Sequence, residues 1–169
     1  MRWLAALLAL VLLTGARDPI LVPEVSQHEV QVRQGFTGTE LLLFGAILTP
    51  DGTRAGRDYD IVVVLKGPTQ SIVVREKQKV AGIWLNADSA GFRSAPSYYA
   101  VASSRPIRKI VDEKTAAIYE FGLRNIQLSP IGAIDPAQQA RFAAGLAALK
   151  SKQGLYQQAE GGVKISEQV

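Results

Sequence analysis

The chain opens on an unbroken apolar run, Leu4 to Leu13, with Arg2 and Trp3 before it and Thr14-Gly15-Ala16 after it. A basic start, a short apolar stretch and small residues, in that order, predict a secretory signal peptide over residues 1–16. The run is about half of the roughly 20 apolar residues that a membrane-spanning helix needs. Arg17-Asp18-Pro19 then ends it abruptly. A retained anchor and a buried core helix are the weaker readings.

Beyond the run the pattern takes the period of strands. His28 to Arg33 alternates polar and apolar positions, as a half-buried strand does. Gly35-Phe36-Thr37-Gly38 reads as a turn. Glu40 to Leu48 reads as a central strand interrupted at Gly45. Pro50-Asp51-Gly52 opens a polar loop reaching Asp58. Ile61 to Val64 are consecutive β-branched residues, a strong strand signal. Gly67-Pro68 turns the chain and Ser71 to Arg75 returns it, so residues 59–76 predict a hairpin. Val80 to Asn86 forms the next strand, Asn86-Ala87-Asp88-Ser89 a turn, and Tyr98 to Ser103 a further strand. This spacing predicts an immunoglobulin-like β-sandwich over residues 17–104, with Trp84 in the core between its sheets.

After Ser104 the period lengthens. Pro106 to Val111 fits one or two helical turns. Asp112 can cap a helix running through Phe121, with Gly122 as its left-handed stop. Asp135-Pro136-Ala137-Gln138 is a helix start with Asp as cap and Pro at the first position. Phe142, Leu146 and Leu149 then share a face, and Gly154 ends the helix. Residues 105–155 therefore predict a helical extension packing on the sandwich. Gly162 to Val169 reads as the opening of a strand, and residues 156–169 as the start of a further, truncated β-rich segment. The predicted fold class is mainly β with added helices, an α+β chain.

Composition sharpens this only a little. The apolar fraction of 47% with 20% charge is that of an ordinary globular chain. The absence of cysteine removes thiol nucleophiles and zinc-thiolate sites. A net charge of +4, scattered along the chain, lacks the dense stripe that nucleic-acid binding requires.

Candidate chemistry is sparse. The single histidine, His28, has no companion at metal-ligand spacing and reads as a surface residue. No phosphate-cradling glycine loop or nucleophile elbow occurs. Asp58 and Asp60 flank Tyr59 and would share a face of an extended chain, where they keep a strand entrance wet or hold a hard cation. Aromatics, arginines and small polar residues concentrate between Trp84 and Arg105, as on recognition surfaces. The candidate interaction surface is Trp84, Asn86, Arg93, Tyr99 and Arg105. Tyr98 and Tyr99 must face opposite sides of a strand, one inward and one outward.

Four blocks in order carry a resemblance. They are Gly35 to Glu40 with Leu43 to Ala46, Asp60 to Val64, Ala81 to Asn86, and Pro96 to Pro106. Together they resemble the alphaproteobacterial putative transmembrane protein family, Alph_Pro_TM, over almost the whole chain after the apolar run. The resemblance implies a signal peptide, a periplasmic β-rich region and a C-terminal transmembrane helix that these residues lack. It implies no catalytic residues.

The expectation is an exported cell-envelope domain at the periplasmic face of the inner membrane. It would be non-enzymatic and without cofactor, an accessory to an inner-membrane partner such as a transporter. The competing expectation is a periplasmic module for a small anion or metal ion, with arginines of the Trp84–Arg105 stretch meeting an anion.

Overall fold

A computed structural model describes residues 19–31, 34, 38–48 and 59–166. The predicted signal peptide, the turn at residues 35–37, the loop from Pro50 to Asp58 and the last three residues lie outside the described residues. The described residues are 41% strand and 23% helix, which makes the fold mainly β with a few helices. Its open sheets give a β-sandwich-like α+β arrangement, the class the pattern predicts. The chain falls into two compact units that divide after Tyr59, not after Ser104.

Among the described residues, the first unit is a two-stranded ribbon. Strand β1 (Ile20–Val25) pairs antiparallel with β2 (Leu43–Leu48), from Ile20 opposite Leu48 to Val25 opposite Leu43. Gly45 faces Pro23 across the pair, and a Cβ there would stand 2.5 Å from the Val22 carbonyl oxygen. Only glycine fits that approach. Residues 28–31 are not in a strand, contrary to the alternation at His28 to Arg33. The paired strand lies earlier, in the apolar segment Ile20 to Val25. His28 is exposed, as expected, with its Nε2 2.8 Å from Glu24 Oε1.

The second unit, Asp60 to Ser166, holds five strands. These are β3 (Val62–Lys66), β4 (Thr69–Val80), β5 (Ile83–Pro96), β6 (Tyr99–Ser103) and β7 (Tyr156–Glu160). Residues 59–76 do not form a hairpin. Instead β3 pairs with β6, and β4 with β5. One register runs through the corner: Lys66 faces Tyr99 and Thr69 faces Pro96. The whole is one long antiparallel arm, bent where Gly67-Pro68 meets Ser97-Tyr98. At the bend Gly67 N–H donates to the Tyr98 carbonyl at 2.8 Å and Ser97 N–H to the Pro68 carbonyl at 2.9 Å. Residues 86–89, expected as a turn, lie within β5. The register slips by one residue between the Glu76–Asp88 and Lys77–Asn86 pairs, which places a bulge at Ala87.

Helices α1 (Ile107–Ile110), α2 (Glu113–Ile118) and α3 (Pro136–Lys152), with a 3-10 turn at Leu123–Asn125, connect β6 to β7. Strand β7 then pairs parallel with β6, Tyr99 opposite Tyr156. Parallel neighbours need a crossover of a dozen residues or more, and the helical region is that crossover. The last strand among the described residues thus lies at 156–160 and has a partner, while residues 162–166 are not in a strand. Asp112 caps α2 by accepting from Thr115 N–H at 2.8 Å. Asp135 caps α3 by accepting from Ala137 and Gln138 N–H at 2.9 and 3.2 Å. Both caps sit where the sequence predicts them.

Two apolar cores result. Phe142 and Leu146 of α3 cover Val74, Ala90, Phe92 and Ala95 at the root of β4–β5. Tyr99, Val101, Ile107, Ala116 and Tyr156 form the other, with Ala147 of α3 packed against it. The long helix therefore borders both.

Candidate interaction surface

The outer half of β4–β5 leaves the core behind. Its turn is Ala81-Gly82, with φ of 50° and 87°, the two positive values that a tight two-residue hairpin loop of the right twist requires. Glycine adopts this freely and alanine does so at a cost. Behind the turn Val80 faces Ile83, Lys79 faces Trp84, Gln78 faces Leu85 and Lys77 faces Asn86. Alternation puts Val80, Ile83 and Leu85 on one face, and Lys77, Lys79, Trp84 and Asn86 on the other. Trp84 is 65% exposed, and Val80, Ile83 and Leu85 are each at least half exposed. The expected core role of Trp84 is thus corrected. Among the described residues of this unit no second layer reaches the tip, because α3 covers only the root of the hairpin.

Between root and tip stands a polar clamp. Gln138 Nε2 donates to both Asp88 carboxylate oxygens, at 2.9 and 3.0 Å. Arg141 Nη2 reaches Asp88 at 2.6 Å, and its Nη1 reaches Glu76 at 2.8 Å. The Ser89 backbone N–H, Gln138 and Arg141 hold the Asp88 carboxyl below the usual carboxylate range. A residue expected in a turn is thus the point where α3 grips the hairpin. The one-turn spacing of Gln138 and Arg141 along α3 was the available sign of such a shared face.

The other candidates separate. Arg93 is exposed on β5, and its backbone N–H donates to the Ser129 carbonyl at 2.8 Å. Tyr99 is fully buried and cannot belong to an accessible surface. Its hydroxyl donates to the Glu120 carbonyl at 2.5 Å and accepts from Gly122 N–H at 3.1 Å. Tyr98 is the half-buried member of the pair. Arg105 is joined to Asp60 through two guanidinium nitrogens, one of them Nε at 2.7 Å, and Ser104 Oγ donates to the same carboxylate at 3.0 Å. Arg105 first, and Ser104 after it, hold Asp60 below its ordinary value. Of the five candidates, only Trp84 and Asn86 share one place.

Elsewhere, Ala140, Ala143, Ala144 and Ala147 of α3 face Leu123 and Ile126 across an apolar cavity of about 410 Å³. Among the described residues, no three His, Asp or Glu side chains converge as a metal site. No described helix is long and apolar enough to cross a membrane.

These features define an α+β domain with a long hairpin clamped to a helix at Glu76 and Asp88 and bearing an exposed tip beyond the clamp. The family model described as "Putative transmembrane protein (Alph_Pro_TM)" matches residues 20–169. The chain belongs to that family, as the four sequence blocks indicated. No curated protein and no solved structure matches it.

Proposed function

We propose that this chain is an exported domain of the bacterial cell envelope, held at the periplasmic face of the inner membrane. There it serves as a non-enzymatic accessory to a membrane protein such as a transporter. Family membership is the observation that carries this reading, since the family's description is "Putative transmembrane protein". The apolar run Leu4 to Leu13 supports export. Arg105 is engaged by Asp60, which takes one of the two arginines of the Trp84–Arg105 stretch away from a small-anion module.

Two measurements test the reading. A fusion of the gene product to a reporter enzyme active only outside the cytoplasm should be active, and should lose activity when Leu4–Leu13 is made polar. An inactive fusion excludes export. Affinity capture from detergent-solubilised membranes should recover one integral membrane protein, which should recover this chain in the reverse experiment. Recovery of no membrane protein, with a rise in melting temperature on adding sulfate or phosphate, would replace the accessory role with anion binding.

A further inference from the structure

We propose that the end of hairpin β4–β5 docks into the interfacial zone of a bilayer bearing anionic headgroups. This deepens the membrane-surface reading above and rests on it. The tip joins two features that a lipid surface recognises together. Val80, Ile83, Trp84 and Leu85 are exposed around a tight turn, with no apolar partner layer among the described residues. Lys79 stands level with Trp84 and Lys77 with Asn86, while Arg75 stands further back opposite Ser89, all three exposed on β4. None of the three makes an ion pair among the described residues. The nearby carboxylates Glu76 and Asp88 are both occupied by Arg141. Two carboxylates against one guanidinium leave the clamp with a single negative charge, so Arg75, Lys77 and Lys79 keep the outer hairpin net positive.

The dimensions agree. From Gly82 to Leu85 is about 10 Å at roughly 3.3 Å per residue, and interfacial elements bury their apolar face by about 5–10 Å. At that depth Trp84 lies among the headgroups, where tryptophan is favoured, and the lysines lie at the level of lipid phosphates. A two-stranded ribbon cannot go deeper, because its outer edges carry unpaired backbone groups that hydrocarbon would leave unsatisfied. A protein partner fits less well. Lysine is depleted in protein interfaces, yet lysines border this tip on β4.

The test uses the absence of cysteine, which makes an introduced thiol unique. An environment-sensitive fluorophore is placed at Ile83→Cys, and separately at Arg93→Cys, in the otherwise intact chain. Each protein is titrated with vesicles of phosphatidylethanolamine and phosphatidylglycerol, and with phosphatidylcholine alone. The local signal is the readout because Leu4–Leu13 could itself bring the chain to lipid. The expected result is a blue shift at position 83 with anionic vesicles, weak with phosphatidylcholine and absent at position 93. Adding Lys77→Gln and Lys79→Gln should weaken the response roughly 30-fold. Trp84→Ser should weaken it further, with the circular dichroism spectrum unchanged.

No shift at position 83 would overturn the proposal, as would equal shifts at both positions. A shift that grows with protein concentration without lipid would assign the tip to a second copy instead. A shift seen only with native membranes and not with protein-free vesicles would assign it to a membrane protein. That last outcome overturns the lipid proposal and leaves the accessory role standing, whereas failure of export removes the accessory role by itself.

Discussion

Tyr99 shows how much one buried hydroxyl can hold. It satisfies the Glu120 carbonyl and the Gly122 N–H at once, where the backbone leaves α2 through positive φ values of 54° and 101°. Tyr99→Phe removes both bonds and leaves the buried Gly122 N–H without this acceptor, at a cost of about 1–3 kcal/mol. Urea unfolding should read this as a lower midpoint with an unchanged slope. Burial also pushes the hydroxyls of Tyr99 and Tyr156 above their ordinary value of 10.0. A folded pKa above the unfolded one means that the stabilisation is complete below about pH 10 and declines as pH rises through the folded values. The melting temperature should therefore hold from neutrality to about pH 9 and fall above about pH 10. Tyr99→Phe should make that fall shallower, and an unchanged fall would refute the assignment. On the acid side the sign reverses. Asp60, Asp88 and Asp112 are held below their ordinary 3.8, by Arg105, by Ser89 N–H and by Thr115 respectively. Their contribution is present above about pH 4 and lost as pH falls through the lowered values. Arg105→Ala should flatten the acid limb of a melting-temperature profile by a small amount that added salt reduces further, because the pair is solvent-facing. Of all this the sequence carried only part. Alternation placed Tyr98 and Tyr99 on opposite faces, but the packing of the crossover segment around Glu120 decided which of them is buried.

At the scale of elements, local chemistry was legible and pairing was not. Asp135 followed by Pro136 marks the start of α3 in the sequence, and the cap forms there. Asp135→Ala should destabilise the protein by about 1 kcal/mol, with faster amide exchange confined to the first turn of α3. Fast exchange throughout the helix would mean that the cap holds α3 onto the sheets as well as starting it. The strands were harder to read because their partners are distant. Ile61 to Val64 announced β3, yet its partner is β6 rather than the adjacent β4. Gly67-Pro68 marked a corner correctly, but the corner bends a paired arm and does not reverse the chain. Asn86 to Ser89 looks like a turn because it is polar. The outer part of β4–β5 is wet on both faces, so a polar run with a bulge is compatible with a continuing strand. Ala81-Gly82 carries the actual reversal, with only one glycine to mark it.

For the whole molecule, the mainly β class followed from the rhythm of short strands, but the division of the chain did not. The change of period at Ser104 suggested a boundary there. Its cause is the helical crossover that β7 needs in order to lie parallel to β6, so residues 105–160 belong to the same unit as β3 to β6. Both apolar cores, the Asp88 clamp and the Asp60–Arg105 pair lie within residues 60–166. That segment should therefore fold alone. Expressed by itself, it should unfold in one cooperative transition by far-ultraviolet circular dichroism and by the near-ultraviolet signal of the buried Tyr99 and Tyr156, with coincident midpoints. Within it, Phe92→Ala should cost about 3–5 kcal/mol, because Phe92 is fully buried beneath α3. Trp84→Ala should change stability by no more than about 0.5 kcal/mol, as befits an exposed side chain away from the core. A gradual transition in the isolated segment would mean that its cores need the preceding residues. A large loss from Trp84→Ala would mean that the hairpin tip is held by the protein itself, and would leave it unavailable to a membrane.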